Sequence, residues 1–135
     1  MSADSLEERA IAARARAYAP YSGYRVGAAL ETEDGRVFEG CNVENASYSV
    51  TCCAERVALY SAVAAGARSF RRLVVVAGGP TGGPTPHPCG ACRQALSELA
   101  PDDLPITVVA DGGGRHRFTL GELLPKPFRM EPGRS

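Results

Sequence analysis

The sequence predicts a three-layer α/β/α domain, with helices covering a mixed sheet of about five strands. Three observations lead there. Leu73-Val74-Val75-Val76-Ala77 is a continuous apolar run between turn residues, the pattern of a central strand covered on both faces. Residues 25–42 alternate about Asp34-Gly35, which reads as a β-hairpin. Segments 53–65 and 89–99, on either side of the apolar run, read as helices. At 135 residues the chain is one domain, 1–135, large enough for a normal core.

In chain order, Ser5 to Ala17 reads as a helix, because Leu6, Ala10, Ala13 and Ala17 recur at helical spacing. Ser5-x-x-Glu8 supplies a capping box and Pro20 a stop, leaving Arg9, Arg14 and Arg16 on a wet face. Tyr18 to Tyr24 is an aromatic, turn-rich link. Its tyrosines are either ordinary packing or a flat wall for a ring-shaped ligand. In the hairpin, Val26, Ala28 and Leu30 share one face, and Cys41 reads as a small buried hydrophobe. The polar run Asn42-Val43-Glu44-Asn45-Ala46-Ser47-Tyr48 is either a surface loop or a loop that binds hydroxyls, since its amides and acid offer both donors and acceptors. Cys53 to Ala65 is a helix apolar nearly all round, suited to an interior or a subunit contact, and Gly66 ends it. Gly78 to Pro88, rich in Gly and Pro, is a long connection without secondary structure of its own. Cys89 to Leu99 is a helix ended by Pro101. Pro105 to Ala110 and Arg115 to Phe118 are strands, and Thr119-x-x-Glu122 caps a last helical turn. Residues 131–135 are expected to fray.

Formal net charge is zero, with 15 basic and 15 acidic residues. Nothing builds the broad positive field that polyanion binding needs, so a small, nearly neutral ligand is expected rather than nucleic acid. No stretch approaches the roughly 18 consecutive apolar residues of a membrane span, and the first residues lack the pattern of a secretory signal. A cytoplasmic location is therefore expected. Five cysteines, an odd number, argue for metal or catalytic use over a disulfide framework.

The chemistry concentrates in Thr51-Cys52-Cys53-Ala54-Glu55-Arg56 and Pro88-Cys89-Gly90-Ala91-Cys92-Arg93-Gln94. A Cys-x-x-Cys pair alone is ambiguous between a redox pair, a structural zinc knuckle and a catalytic zinc site. A third cysteine and an acid upstream weaken the redox reading. Cys53, Cys89 and Cys92 can give Zn²⁺ three protein ligands and leave the fourth tetrahedral position open, which marks a catalytic site. The rival is a closed site with Cys52 as fourth ligand, but neighbouring side chains at a helix start diverge by about 100°. Both stretches open helices, where backbone N–H groups and the positive dipole end favour thiolates. Glu55 either stabilises the first helical turn or handles a proton beside the open position. Three thiolates and one Zn²⁺ sum to −1, a charge that makes a bound water harder to deprotonate. Arg56 can offset it by hydrogen-bonding a ligand sulfur, or it is a surface arginine. His87 lies in the Gly/Pro loop and is not needed as a ligand, and His116 is expected to be solvated.

These two motifs match the pattern of zinc nucleobase deaminases with cysteine in place of the histidine ligand. Together with Tyr18-Ala19-Pro20-Tyr21-Ser22, Val26-Gly27-Ala28-Ala29, Gly40-Cys41-Asn42-Val43-Glu44-Asn45 and Leu123-Leu124-Pro125, they make residues 5 to 128 resemble the small homotetrameric cytidine deaminases. The resemblance implies the cytidine-deaminase-like fold, one Zn²⁺ per subunit on Cys53, Cys89 and Cys92, and hydrolysis of cytidine or 2′-deoxycytidine at C4 with loss of ammonia. It implies that Glu55 passes a proton from the activated water to the pyrimidine ring and the leaving amine. Asn42 and Glu44 match positions that hold the ribose hydroxyls, and Ala46 falls in the same substrate loop. Backbone groups near Ala54 and Cys89 match those that orient the base. Tyr24 stands where the family has a pocket aromatic, usually phenylalanine. Tyr48 and Phe128 match residues at a site shared between subunits. Two features depart from the family pattern: the composition of the 78–88 loop, and His87, which stands where a small or apolar residue is expected. A deaminase of blasticidin-type antibiotics shares the zinc motifs; the Asn42-Val43-Glu44-Asn45 loop and Arg56 favour the nucleoside enzyme.

Overall fold

The computed structural model describes residues 2–78, 87–110 and 114–130. Its elements are α1 (Ala3–Arg14), β1 (Arg25–Thr32), β2 (Val37–Cys41), a short 3₁₀ turn (Tyr48–Val50), α2 (Ala54–Ala64), β3 (Phe70–Gly78), α3 (Gly90–Leu99), β4 (Pro105–Val109), β5 (Arg115–Thr119) and α4 (Leu120–Leu123). One five-stranded sheet runs in the order β2-β1-β3-β4-β5. It is mixed: β3 and β4 are parallel, and the other neighbours are antiparallel. The expected α/β fold with a mixed five-stranded sheet is the one observed. Among the described residues no helix is long and apolar enough to cross a membrane.

Strand alternation sorts the core into two layers. Ala28, Leu30, Leu73, Val75, Ile106 and Val108 pack with residues of α2 and α3, including Ala58, Leu59 and Leu96. Ala29, Val74, Val76 and Val109 face the other way, against Leu6 and Ala10 of α1. The strands β1, β3 and β4 are thus covered on both sides, which is why β3 reads as an unbroken apolar run.

Several boundaries differ from the expectation. The N-cap of α1 is Ser2, whose Oγ accepts from the Ser5 N–H at 3.2 Å; a better-placed cap one turn upstream displaces the Ser5 capping box. The helix ends at Arg14 rather than Ala17. Arg16 and Ala17 close tight turns back to Ala13 and Arg14. Tyr18 then leaves to pair with the strand-like segment after β2, its N–H donating to Asn42 at 3.0 Å. Tertiary pairing, not Pro20, sets this end. Arg9 and Arg16 are not simply a wet face: both bond the Glu39 carboxylate on β2. Strand β3 begins at Phe70, which is buried, and Arg72 in the next turn of the pleat pairs with buried Glu31 at 3.0 Å. Cys41 is only partly buried. Helix α2 buries Ala54, Ala58, Leu59 and Ala62 but leaves Tyr60 about half exposed, so its apolar surface is not all internal in one chain. Of the 78–88 loop, 79–86 lie outside the described residues.

Two glycines set the distance between layers. At Gly27 a Cβ would collide with backbone of α1, reaching the Arg14 Cα at 2.9 Å and the Ala10 carbonyl closer still. At Gly40 it would collide with backbone of α2 at Ala54 and Ala58. Neither obstacle is a flexible side-chain tip, so the helix must move. Gly27→Ala and Gly40→Ala should each destabilise the fold by about 1–3 kcal/mol, the usual range for overpacking. Thermal unfolding checks this, and an unchanged melting curve in either variant would remove close helix approach as the reason for that glycine.

Candidate active site

The site is built where two helices begin. Cys53 is the N-cap of α2 and Cys89 the N-cap of α3, and neither sulfur is spent on a capping hydrogen bond. Cys92 lies one turn into α3 and is buried. The three Sγ atoms all lie within 4.8 Å of one another, and Cys53 Sγ is 3.7 Å from Cys89 Sγ. A tetrahedral Zn²⁺ with Zn–S bonds of about 2.3 Å spaces its sulfurs by about 3.8 Å, close to the Cys53–Cys89 separation, so the cluster is of the size that ion needs. Among the described residues no fourth His, Cys, Asp or Glu ligand atom joins this group. Cys52 in particular stays outside it. Its backbone is tied to Val43 by two hydrogen bonds, N–H to carbonyl each way, at 3.0 and 2.9 Å. That bridge aims Cys53, not Cys52, at the cluster. The chain therefore carries a zinc-binding triad, Cys53, Cys89 and Cys92, with no fourth protein ligand among the described residues.

Local charge follows from this crowding. The hydrogen bond with Cys92 brings the Cys53 thiol down to about 5, helped by Arg56, against the opposing pull of burial. The same bond, with burial, pushes Cys92 upward. Arg56 donates from Nη2 to Cys53 Sγ at 3.7 Å, while its buried Nε has no hydrogen-bond partner among the described residues. Glu55, in the first turn of α2, is only 4% exposed. Burial pushes its carboxyl up to about 7, and the charge of Cys53 adds to the effect. A carboxyl so placed exchanges protons readily near neutrality.

Glu55 opens onto a cavity of about 210 Å³ lined by Tyr24, Val26, Asn42, Thr51, Cys52, Cys53, Ala54, His87 and Cys89. Tyr24 and Ala54, both singled out from the sequence, line this cavity. Burial raises the Tyr24 phenol, with the charge of Glu55 contributing. Asn42 also lines the cavity, but its side chain is already bonded. Oδ1 accepts from the Val26 N–H and Nδ2 donates to the Tyr24 carbonyl, both at 2.8 Å. Glu44 lies in an adjoining hollow of about 340 Å³, with Tyr21, Ser22, Asn45, Tyr48 and Thr51. Its carboxylate accepts from the N–H groups of Tyr21 and Ser22, at 3.0 and 3.2 Å, and from the Ser22 hydroxyl. That last bond above all keeps the acid ionised. Thr51 borders both hollows and joins them.

Of the remaining expected residues, one lies mostly in solvent at the rim and two line neither hollow in one chain. Tyr48 borders the second hollow but is 82% exposed. Phe128 is 70% exposed, its carbonyl held by Gln94 Nε2 at 2.8 Å, and its ring lines neither hollow. Ala46 is exposed in a turn closed by the Asn45 side chain and lines neither hollow. Conversely, Val26, Thr51 and Cys52 line the cavity although the sequence reading assigned them no site role. Val26 follows Tyr24 by two and Thr51 opens the first cysteine stretch, so both were adjacent to residues singled out. His87 is not in the sulfur cluster, as expected, yet it forms part of the cavity wall.

Comparison with known proteins gives a consistent result. Residues 1–108 match the family model for the cytidine and deoxycytidylate deaminase zinc-binding region. A cytidine deaminase of Halalkalibacterium halodurans is 47% identical over 131 residues, 97% of each chain. The crystal structure of a cytidine deaminase from Burkholderia pseudomallei superposes with a TM-score of 0.88 at 48% identity, over 95% of this chain and 100% of that one. A blasticidin-S deaminase of Bacillus cereus is 32% identical over 111 residues, 78% of this chain and 77% of that one. With its fold, its three-sulfur cluster and these relatives taken together, the chain belongs to the zinc-binding cytidine deaminase family.

Proposed function

We propose that this chain hydrolyses cytidine and 2′-deoxycytidine to uridine and 2′-deoxyuridine with release of ammonia, serving pyrimidine salvage in the cytoplasm. The observation that carries the reading is a buried glutamate beside a three-sulfur zinc triad, with Glu55, Cys53 and Cys89 lining one cavity of about 210 Å³. Cys53, Cys89 and Cys92 would hold Zn²⁺, which supplies a Lewis acid that lowers the pKa of a water. Glu55 takes one proton from the attacking water and delivers it to the ring nitrogen N3, then takes a second from the hydroxyl added at C4 and delivers it to the amine, which leaves as ammonia. Its raised pKa suits it to give as well as to take. Arg56 draws negative charge from Cys53 and so offsets the anionic ligand set.

Tyr24 presents an aromatic face to the pyrimidine, and backbone groups at Ala54 and Cys89 orient it. Beyond its two backbone bonds, Asn42 keeps one amide hydrogen and one oxygen lone pair for a ribose hydroxyl. Glu44, held ionised in the adjoining hollow, accepts from another, and Ala46 belongs to the same loop. Tyr48 and Phe128 serve sites shared between subunits of a homotetramer. Their exposure in one chain supports this. The family's blasticidin-type members are the rival, but lower identity to the B. cereus enzyme and the Asn42-Val43-Glu44-Asn45 loop favour nucleosides.

An ultraviolet assay should show turnover of cytidine and 2′-deoxycytidine and little of blasticidin S; preference for the antibiotic would reverse the assignment. Glu55→Gln should fold, retain one zinc and lose about 10²–10⁴-fold in kcat, as expected for removal of a general acid–base. More than a tenth of wild-type turnover would exclude the proton shuttle. Arg56→Gln should also keep its zinc while kcat falls, and a wild-type rate would leave Arg56 a merely structural role. Light scattering should give the mass of four 14.2 kDa chains; an active monomer would refute the shared site.

A further inference from the structure

We propose that His87 is a specificity-determining residue: its imidazole closes the cavity at the C4–C5 edge of the cytosine ring and limits the substituents accepted there. This rests on the deaminase reading above. Three observations support it.

His87 lies on the wall of the cavity that holds Glu55 and Cys89. Glu55 and Cys89 mark the end of the cavity where bonds change at C4. Tyr24, Val26 and Asn42 reach the cavity from other elements, around the start of β1 and the end of β2. One residue, Pro88, separates His87 from Cys89, a reach of at most about 7 Å between their Cα atoms. His87 therefore belongs to the C4 end.

The ring is braced. Its centroid lies 5.3 Å from that of Phe118 at 69°, an edge-to-face contact, and 6.1 Å from that of His116. Both partners stand on β5, anchored in the sheet. Contacts of this geometry favour one ring orientation over others.

The backbone is restrained as well. Residue 88 is a buried proline, with its φ fixed by the ring. A residue before proline is held to extended conformations. Backbone and side chain are thus both limited, so the imidazole acts as a wall rather than a swinging gate. A small residue at this position would leave the C4–C5 edge open.

The test compares kcat/KM for cytidine, 5-methylcytidine and N4-methylcytidine in the zinc-loaded wild type, His87→Ser and His87→Phe. Hydrolysis of N4-methylcytidine consumes one water and releases methylamine in place of ammonia, so each reaction is read as uridine-type product. In His87→Ser the ratio of kcat/KM for at least one methylated nucleoside to that for cytidine should rise about tenfold or more, the discrimination that one methylene commonly carries in a fitted pocket. In His87→Phe, which keeps a ring of similar breadth, both ratios should stay within about twofold of wild type.

Unchanged ratios in His87→Ser would overturn the proposal. So would an equal rise in His87→Phe, because size would then not be the cause. Loss of zinc from His87→Ser, measured by metal analysis, would also overturn it by making His87 a support of the metal site. A wild type inactive on cytidine would instead refute the deaminase reading, which keeps the two failures distinct.

Discussion

The structure depends on two helix starts converging on one point. Each start is capped by a cysteine whose sulfur is turned away from the usual capping role and toward its counterpart. The backbone N–H groups and positive dipole end at both helix starts make that point electropositive, which is the condition for gathering thiolates. The sheet supplies the convergence. The parallel pair β3 and β4 requires a crossover, and α3 is that crossover, so its first residue arrives near the end of β3. Helix α2 is placed differently, by the Val43–Cys52 bridge that extends from the end of β2. Gly40 on β2 lets the start of α2 lie close against the strand. A shift of that helix would move Cys53 away from Cys89, so a packing constraint on β2 becomes a constraint on metal geometry.

Glu55 sits at the end of the same chain of causes. It follows Cys53 by two residues, so whatever fixes the ligand fixes the acid. Its burial is unfavourable for the charged form, and a rise from 4.5 to about 7 corresponds to a few kcal/mol against ionisation. In an inert core such a cost would be avoided with an apolar residue. Here it gives a group that gains and loses a proton over the pH range in which the reaction is proposed to run. Arg56, one residue on, relieves the opposite problem on the sulfur side. Cys53, Glu55 and Arg56, all within one helical turn, are thus the positions proposed to hold the metal, move the proton and balance the charge.

Much of this was legible in the residues. Cysteine spacing, with Glu55 beside Cys53, specified the triad because zinc chemistry tolerates few alternatives. The apolar run at 73–77 located the central strand because only a doubly covered strand is uniformly apolar. What was not legible was decided by tertiary competition. Ser5-x-x-Glu8 satisfied a local capping rule, but Ser2 was equally available one turn earlier. The end of α1 was fixed by Tyr18 pairing with a segment 25 residues away, which helical spacing cannot register. Arg9 and Arg16 looked solvated because Glu39, their common partner, lies on a strand whose neighbour is known only after the sheet has formed.

The polar loop after β2 shows the remaining limit. Its residues were readable as hydrogen-bonding groups, but a sequence does not say how each group divides its capacity. Asn42 spends two bonds on the backbone around Tyr24, so it shapes the aromatic face before any ligand arrives. Glu44 likewise fastens the Tyr21–Ser22 turn to the loop. Had these side chains been free, a ligand would have had to order them at the cost of rotamer entropy. Because they are already held, the proposed ribose contacts would use leftover valences on a rigid frame. The same reasoning bears on the aromatic residues that this frame leaves in water. Tyr48 and Phe128 are held at the backbone yet expose most of their side chains, an unfavourable arrangement for an isolated chain and a suitable one for the proposed assembly, in which a neighbouring subunit covers them.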